Sequence, residues 1–245
     1  MAESDATLAH RVASTARALV RAGLIEAFGH VSTRLDDGGL LITPTTPLAH
    51  VDAGQVVHVG ASGTPLEPAA PAPLELPLHL AIYRARPDVH AICRGHGPSM
   101  VAWGSARADL PLRHGLGLLA GARVRVHPER DLVTTIDAGD AAATTLAEDR
   151  CLLLRANGGL ATGTDLLDAA TRLWFLEERA RVALGSTPLD PAADDDDPSS
   201  ADPATAAWTA RGRHSRAELT RASAWFAATY VHDDPTPSTD PQEPT

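Results

Sequence analysis

The chain has 245 residues, 21 basic and 31 acidic side chains, a formal charge of −10 and 44% hydrophobic residues. That length suits one large domain or two small ones, with enough apolar content for a sizeable core. The acidic balance argues against a nucleic-acid binder, and no apolar run approaches the ~20 residues that cross a bilayer.

Two further features narrow the class. The polar start from Met1 to Leu8 carries no signal-peptide pattern, and Cys93 and Cys151 make no disulfide framework, so a cytoplasmic location is expected. All 21 basic residues are arginines. Without a lysine the chain has no Schiff-base aldolase, no internal pyridoxal aldimine and no phosphate-loop ATPase chemistry. Asn157 is the single asparagine.

Residues 7–23 have the period of an amphipathic helix, with Gly23 as its stop. VSTRL and LLIT, within 31–43, flank Asp36-Asp37-Gly38-Gly39 and predict a hairpin. A short strand at 56–60 and a Pro/Ala-rich loop at 61–73 follow. Helix is expected over 74–86, a buried strand at 89–93 and helix over 98–106. Strands are expected at 123–127 and 132–136, and helix over 139–147. A strand at 151–155 leads into the turn Asn157-Gly158-Gly159. A long helix over 164–184 has Thr164 or Asp165 as its N-cap, and carries Trp174 and Phe175 as core residues. This mixture predicts one three-layer α/β/α domain over about 8–187. Residues 188–206, with the run Asp194–Asp197, read as an acidic linker, 207–231 as a C-terminal helix and 232–245 as a disordered tail.

Three stretches carry the chemistry: residues 23–48, 71–98 and 151–180. They hold Gly29-His30-Val31-Ser32, Thr43-Pro44-Thr45-Thr46, Glu75 ahead of a helix with Ile82-Tyr83, Arg94-Gly95-His96 and Leu153-Leu154 before Asn157-Gly158. In order and spacing these resemble the class II aldolase/adducin family over about 8–187. The resemblance implies a three-layer α/β/α fold around a mostly antiparallel sheet. It also implies a homotetramer with active sites between subunits. The wording of Cys93-Arg94-Gly95-His96 and Arg155-Ala156-Asn157-Gly158 is most similar to the branch of 3,4-dihydroxyphthalate-type decarboxylases.

The departures from the family pattern carry more information. Family aldolases hold zinc with three histidines; here those positions read Arg94, His96 and Asn157. Guanidinium stays protonated and offers no lone pair, and one histidine with one amide is not a zinc shell. No cofactor is favoured, and His96 would be the one histidine ligand if a divalent metal such as zinc is bound. In the phosphate cradle, His30, Thr45 and Thr46 replace family residues, and Pro73-Leu74 replaces a serine pair. A phosphorylated sugar is therefore not the expected substrate; a flat, aromatic acid is.

The expected reaction is carbon–carbon lysis, with decarboxylation favoured over aldol cleavage. Arg94 is expected to grip a carboxylate by two hydrogen bonds. Glu75, matching the family's catalytic glutamate, is expected to act as acid or base with a raised pKa, and His96 to contact a phenol oxygen. His30, Thr45, Thr46, His79, Arg155 and Asn157 are the expected substrate contacts. His79 also reads as a hydrogen-bonded structural histidine, Arg155 as an exposed one and Asn157 as a turn residue. His114 and His127 fall in or near loops, and Cys93 is expected to be buried and inert. The alternatives are a metal-dependent aldolase with a rebuilt shell and a non-catalytic, adducin-like binding protein. The expected partner is a small-molecule carboxylate, with no nucleic acid and no membrane.

Overall fold

The computed structural model describes residues 3–66, 71–106, 108–186 and 215–231. The helices are α1 (Asp5–Arg21), α2 (Leu76–Ala85), α3 (Pro98–Gly104), α4 (Ile136–Leu146), α5 (Leu166–Ser186) and α6 (Ser215–Phe226). The strands are β1 (His30–Arg34), β2 (Leu40–Ile42), β3 (Val57–Val59), β4 (Ala91–Gly95), β5 (Val124–His127), β6 (Cys151–Leu154) and β7 (Gly159–Gly163). They form one sheet in the order β3-β2-β1-β4-β7-β6-β5. Every pairing is antiparallel except that of β5 with β6.

Local sequence explains the element ends. Ser4 caps α1 by accepting from the Thr7 amide. Gly23, at φ +71°, closes the other end. There the Gly23 amide reaches Val20 O and the Leu24 amide reaches Leu19 O, the paired bonds of a left-handed helix stop. The expected hairpin forms between β1 and β2, with Arg34 opposite Leu40 and Gly38 at φ +87° in the turn. Asp165 caps α5 through the Asp168 amide.

Side-chain alternation divides the core into two layers. Val31, Ala91, Cys93, Cys151 and Leu153 pack against α1, α3 and α5. Ile42, Ile92, Leu152 and Leu160 face the other way, toward α2 and α4. The fully buried Phe226 of α6 joins the first layer, and Trp225 meets Trp174 with ring centroids 4.8 Å apart. Among the described residues, no helix is long and apolar enough to cross a membrane.

Two readings of the sequence are corrected. Residues 132–136 form no strand: 132–135 are irregular, Thr135 caps α4 by accepting from the Ala138 amide, and Ile136 opens the helix. The β-branched run Val133-Thr134-Thr135-Ile136 imitates a strand, while the threonine cap wins locally. Conversely, residues 159–163 are a strand, β7, pairing with β4 and β6. Its Gly-Leu-Ala-Thr-Gly sequence has little strand propensity, and burial on both faces of the sheet supplies what propensity does not. The expected linker, the start of the expected C-terminal helix (207–214) and the tail lie outside the described residues.

Candidate active site

Glu75 occupies the N-cap position of α2 but makes no capping hydrogen bond. Its carboxylate turns inward instead, toward the sheet. Oε2 lies 3.2 Å from His30 Nε2 and 3.3 Å from Arg94 Nε. Oε1 accepts one hydrogen bond, from the Val133 amide at 3.3 Å.

Strand pairing delivers the partners. His30 and Arg94 sit opposite each other on β1 and β4. Both share a face with Ile92, so both project toward α2. Arg94 is fully buried. Its Nη1 donates to Gly95 O at 2.7 Å, and Nη2 has no hydrogen-bond partner among the described residues.

The electrostatics follow from this packing. Burial alone would raise the Glu75 pKa, but the His30 hydrogen bond and the Arg94 charge outweigh it and hold the carboxyl at about 2. Glu75 is therefore a carboxylate at rest, which overturns the raised pKa expected from its apolar neighbours. Leu74 points outward, 71% exposed, and supplies no desolvation. Burial pushes His30 and His79 below their ordinary values, so both are neutral near pH 7.

His96 follows the end of β4. Its Nδ1 lies 3.1 Å from Phe28 O and its Nε2 3.1 Å from Asn157 Oδ1. Burial first, and the Arg94 charge second, lower its pKa to about 4. The neutral ring donates Nδ1–H to the Phe28 carbonyl, and its Nε2 lone pair then accepts from the Asn157 side chain once that amide is turned to present its N–H. Gly158 permits this approach: at φ +72°, any Cβ there would collide with Gly95 O.

The zinc shell implied by the resemblance does not fit these side chains. Its three positions supply one imidazole nitrogen, one amide oxygen and a buried guanidinium. Among the described residues, no group of three His, Cys, Asp or Glu could hold a metal ion. Two neutral donors beside a cation are a poor match for a four-coordinate dication.

Among the remaining expected contacts, His79 is completely buried and joins the Glu75 cluster through His30, at 2.6 Å. Thr45 bonds Pro71 O, and the buried Thr46 hydroxyl has no hydrogen-bond partner among the described residues. Arg155 Nη1 donates to Pro128 O at 3.1 Å. The structure thus unites Glu75, Arg94, His30 and His79, pairs His96 with Asn157, and leaves Thr45, Thr46 and Arg155 outside both groups. Sequence reasoning gave no role to Ser32, Tyr83 or the Val133 amide. Ser32 and Tyr83 were accessible through spacing, because each extends a series that runs through a named residue.

A cavity of about 410 Å³ lies elsewhere, between Glu3, Arg11, Arg34, Asp36, His90 and Asp165.

The sequence pattern of the class II aldolase and adducin N-terminal domain matches residues 10–184. The chain is 31% identical over 164 residues to a 3,4-dihydroxyphthalate decarboxylase of Arthrobacter keyseri, covering 60% of this chain and 65% of that enzyme's own length. It is 28% identical over 173 residues to L-fuculose phosphate aldolase of Escherichia coli strain K12, covering 70% and 78%. In fold it is similar to L-fuculose 1-phosphate aldolase from Glaciozyma antarctica PI12, with TM-score 0.71, 21% identity and coverage of 91% and 88%.

Proposed function

The chain belongs to the class II aldolase and adducin family, and from that premise we propose that it is a carbon–carbon lyase that decarboxylates a hydroxylated aromatic acid. The observation that carries the reading is the buried Nη2 of Arg94, a donor without an acceptor among the described residues. A buried guanidinium N–H without an acceptor is costly, and a substrate carboxylate would supply the acceptor. Similarity to a dihydroxyphthalate decarboxylase supports the same substrate class.

The setting also suits a flat ring. Leu74 and Leu132 flank the residues that build the Glu75 site, and Phe28 supplies the carbonyl bonded by His96; all three are exposed. The altered phosphate cradle has little to offer a phosphate. Thr43 Oγ1 is engaged by the Val31 amide, Thr45 bonds Pro71 O, and Leu74 has no side-chain donor, which leaves the Thr46 hydroxyl as the one unengaged group of these four among the described residues.

In this reading Arg94 Nη2 holds the carboxylate while Glu75 moves a proton. Glu75 Oε1 accepts the proton of a ring hydroxyl, because Oε2 already faces His30 and Arg94. The same proton passes to the ring carbon bearing the carboxylate, and the ring becomes a dienone. The bond to the carboxylate then breaks, CO2 leaves and the electron pair restores the aromatic ring as a phenolate. Water returns the phenol proton. His96 is assigned to the ring oxygen.

The test is CO2 release by the purified full chain from hydroxylated benzoates and phthalates. Turnover on the order of 1–10³ s⁻¹ on one of them is expected, an ordinary enzyme range. Aldol cleavage of a ketose 1-phosphate above about 1 s⁻¹, with no CO2 from any aromatic acid, would replace this reading with the aldolase one.

A further inference from the structure

Glu75 does not stand alone on α2. His79 and Tyr83 follow it at intervals of four and share its helix face. On β1, His30 and Ser32 lie two apart and share a strand face. Four helical residues rise roughly 6.0 Å and two strand residues roughly 6.6 Å, so the two series mesh like teeth. The order across the interface is Glu75, His30, His79, Ser32, Tyr83. Consecutive members are 3.2, 2.6, 2.7 and 2.8 Å apart.

With both rings neutral, as their burial favours, hydrogen-bond accounting fixes every proton in this series. The Glu75 carboxylate only accepts, so His30 donates from Nε2. Neutral His30 then accepts at Nδ1, so His79 donates from Nε2. Neutral His79 accepts at Nδ1, so the Ser32 hydroxyl donates to it. Ser32 Oγ in turn accepts from the Tyr83 hydroxyl. One direction satisfies all four contacts.

We propose that His30, His79, Ser32 and Tyr83 form a one-way positioning relay that keeps a donor on Glu75 Oε2 and so reserves Oε1 for the proton taken from a substrate. This reassigns His30 and His79 from substrate contact to orientation. It adds Ser32 and Tyr83, which touch nothing that reacts. The relay orients and does not conduct: burial raises the Tyr83 pKa, so the terminal phenol keeps its proton. Each member is buried, which keeps water from offering a competing donor.

The role in turnover rests on Glu75 being the site base, whereas the proton positions do not. The test therefore reads the histidines directly, by NMR of the intact protein labelled with 15N in its histidine rings. At pH 7, His30 and His79 are both expected as neutral rings carrying hydrogen on Nε2 alone. A ring protonated on Nδ1, or on both nitrogens, overturns the relay. Ser32→Ala removes the donor to His79 Nδ1. Glu75 still holds hydrogen on Nε2 of His30 and, through it, of His79, so the expected change is a shift of the His79 Nδ1 signal toward that of an unbonded nitrogen and a smaller shift at His30 Nδ1. Unchanged Nδ1 and Nε2 shifts at His30 would show that the relay carries no order across its length, and would also overturn it. Tyr83→Phe, which keeps the ring volume, should shift the same signals less. If no aromatic acid is decarboxylated while the wild-type pattern and its response to Ser32→Ala are as expected, the relay stands and the lyase reading fails.

Discussion

Among the described residues three arginines are buried, Arg86, Arg94 and Arg179, and the two that lie deepest differ in their surroundings. Arg179, on α5, is 2% exposed and fully used: Nε donates to Pro111 O, Nη1 to Gly121 O and Nη2 to Leu110 O, at 2.7–3.0 Å. Arg94, on β4, is equally buried but underused. It has one carbonyl at Gly95, an ion pair with Glu75 and an Nη2 without a partner among the described residues. Buried charge is tolerated when its donors are spent, as at Arg179. Where a donor is left over beside a carboxylate, an arriving acceptor would complete it, which is the part the proposed function gives to Arg94. Arg179 therefore reads as a fastener between α5 and the loop before β5, and Arg94 as a binding group.

The largest effect expected is on chemistry. Glu75→Gln keeps the volume and the contact with the Val133 amide but removes the proton acceptor. Turnover should fall by roughly 10²–10⁴, the usual contribution of acid–base assistance, with little change in ligand affinity. Near-normal turnover in this variant would remove Glu75 from its assigned role.

The next two variants separate the arginines. Arg179→Met leaves three buried carbonyls without donors, which should cost about 3 kcal/mol or more in denaturant unfolding and leave the Michaelis constant nearly unchanged. Arg94→Lys should do the reverse. Lysine retains the charge but not the planar fork, so the Michaelis constant should rise about ten- to hundredfold with a smaller loss of stability. If both variants act on stability alone, the distinction between the two arginines disappears.

The smallest effect separates the regions by pH. His30, His79 and His96 are all held below 6.5, with burial the first cause at each, and His127 and His114 share the direction. These groups are neutral when folded and take up protons when unfolded. Their contribution is complete above about pH 6.5 and declines as pH falls below that value. Glu75, at about 2, adds its own loss only below about pH 4.5. Unfolding at pH 5 should therefore take up about two or more protons, read from the slope of the melting temperature against pH. A flat slope between pH 7 and 5 would mean that the histidines are charged in the fold.

Much of the fold was legible because its signals are local and periodic. The α1 pattern with Gly23, the Asp36–Gly39 turn and the Asp165 cap each require a few adjacent residues. β7 was not legible, since two of its five residues are glycines and only its neighbours β4 and β6 make it a strand. In the site, the spacing of Glu75 and His79 placed them on one helix face. That His30 would meet both depended on α2 lying along β1, a tertiary fact absent from any single segment. The pKa of Glu75 went astray for the same reason. Its sequence neighbours Leu74 and Pro77 suggested an apolar setting, whereas His30 and Arg94, brought by two strands, decide its charge.

The most direct measurement is a crystal structure of the protein with a dihydroxylated aromatic acid bound. The account predicts a carboxylate oxygen about 2.7–2.9 Å from Arg94 Nη2, the range of charge-assisted hydrogen bonds, with a ring hydroxyl facing Glu75 Oε1. An acid seated elsewhere with Arg94 Nη2 still unpartnered, or a metal ion held by His96 and Asn157 with the acid as its ligand, would contradict it.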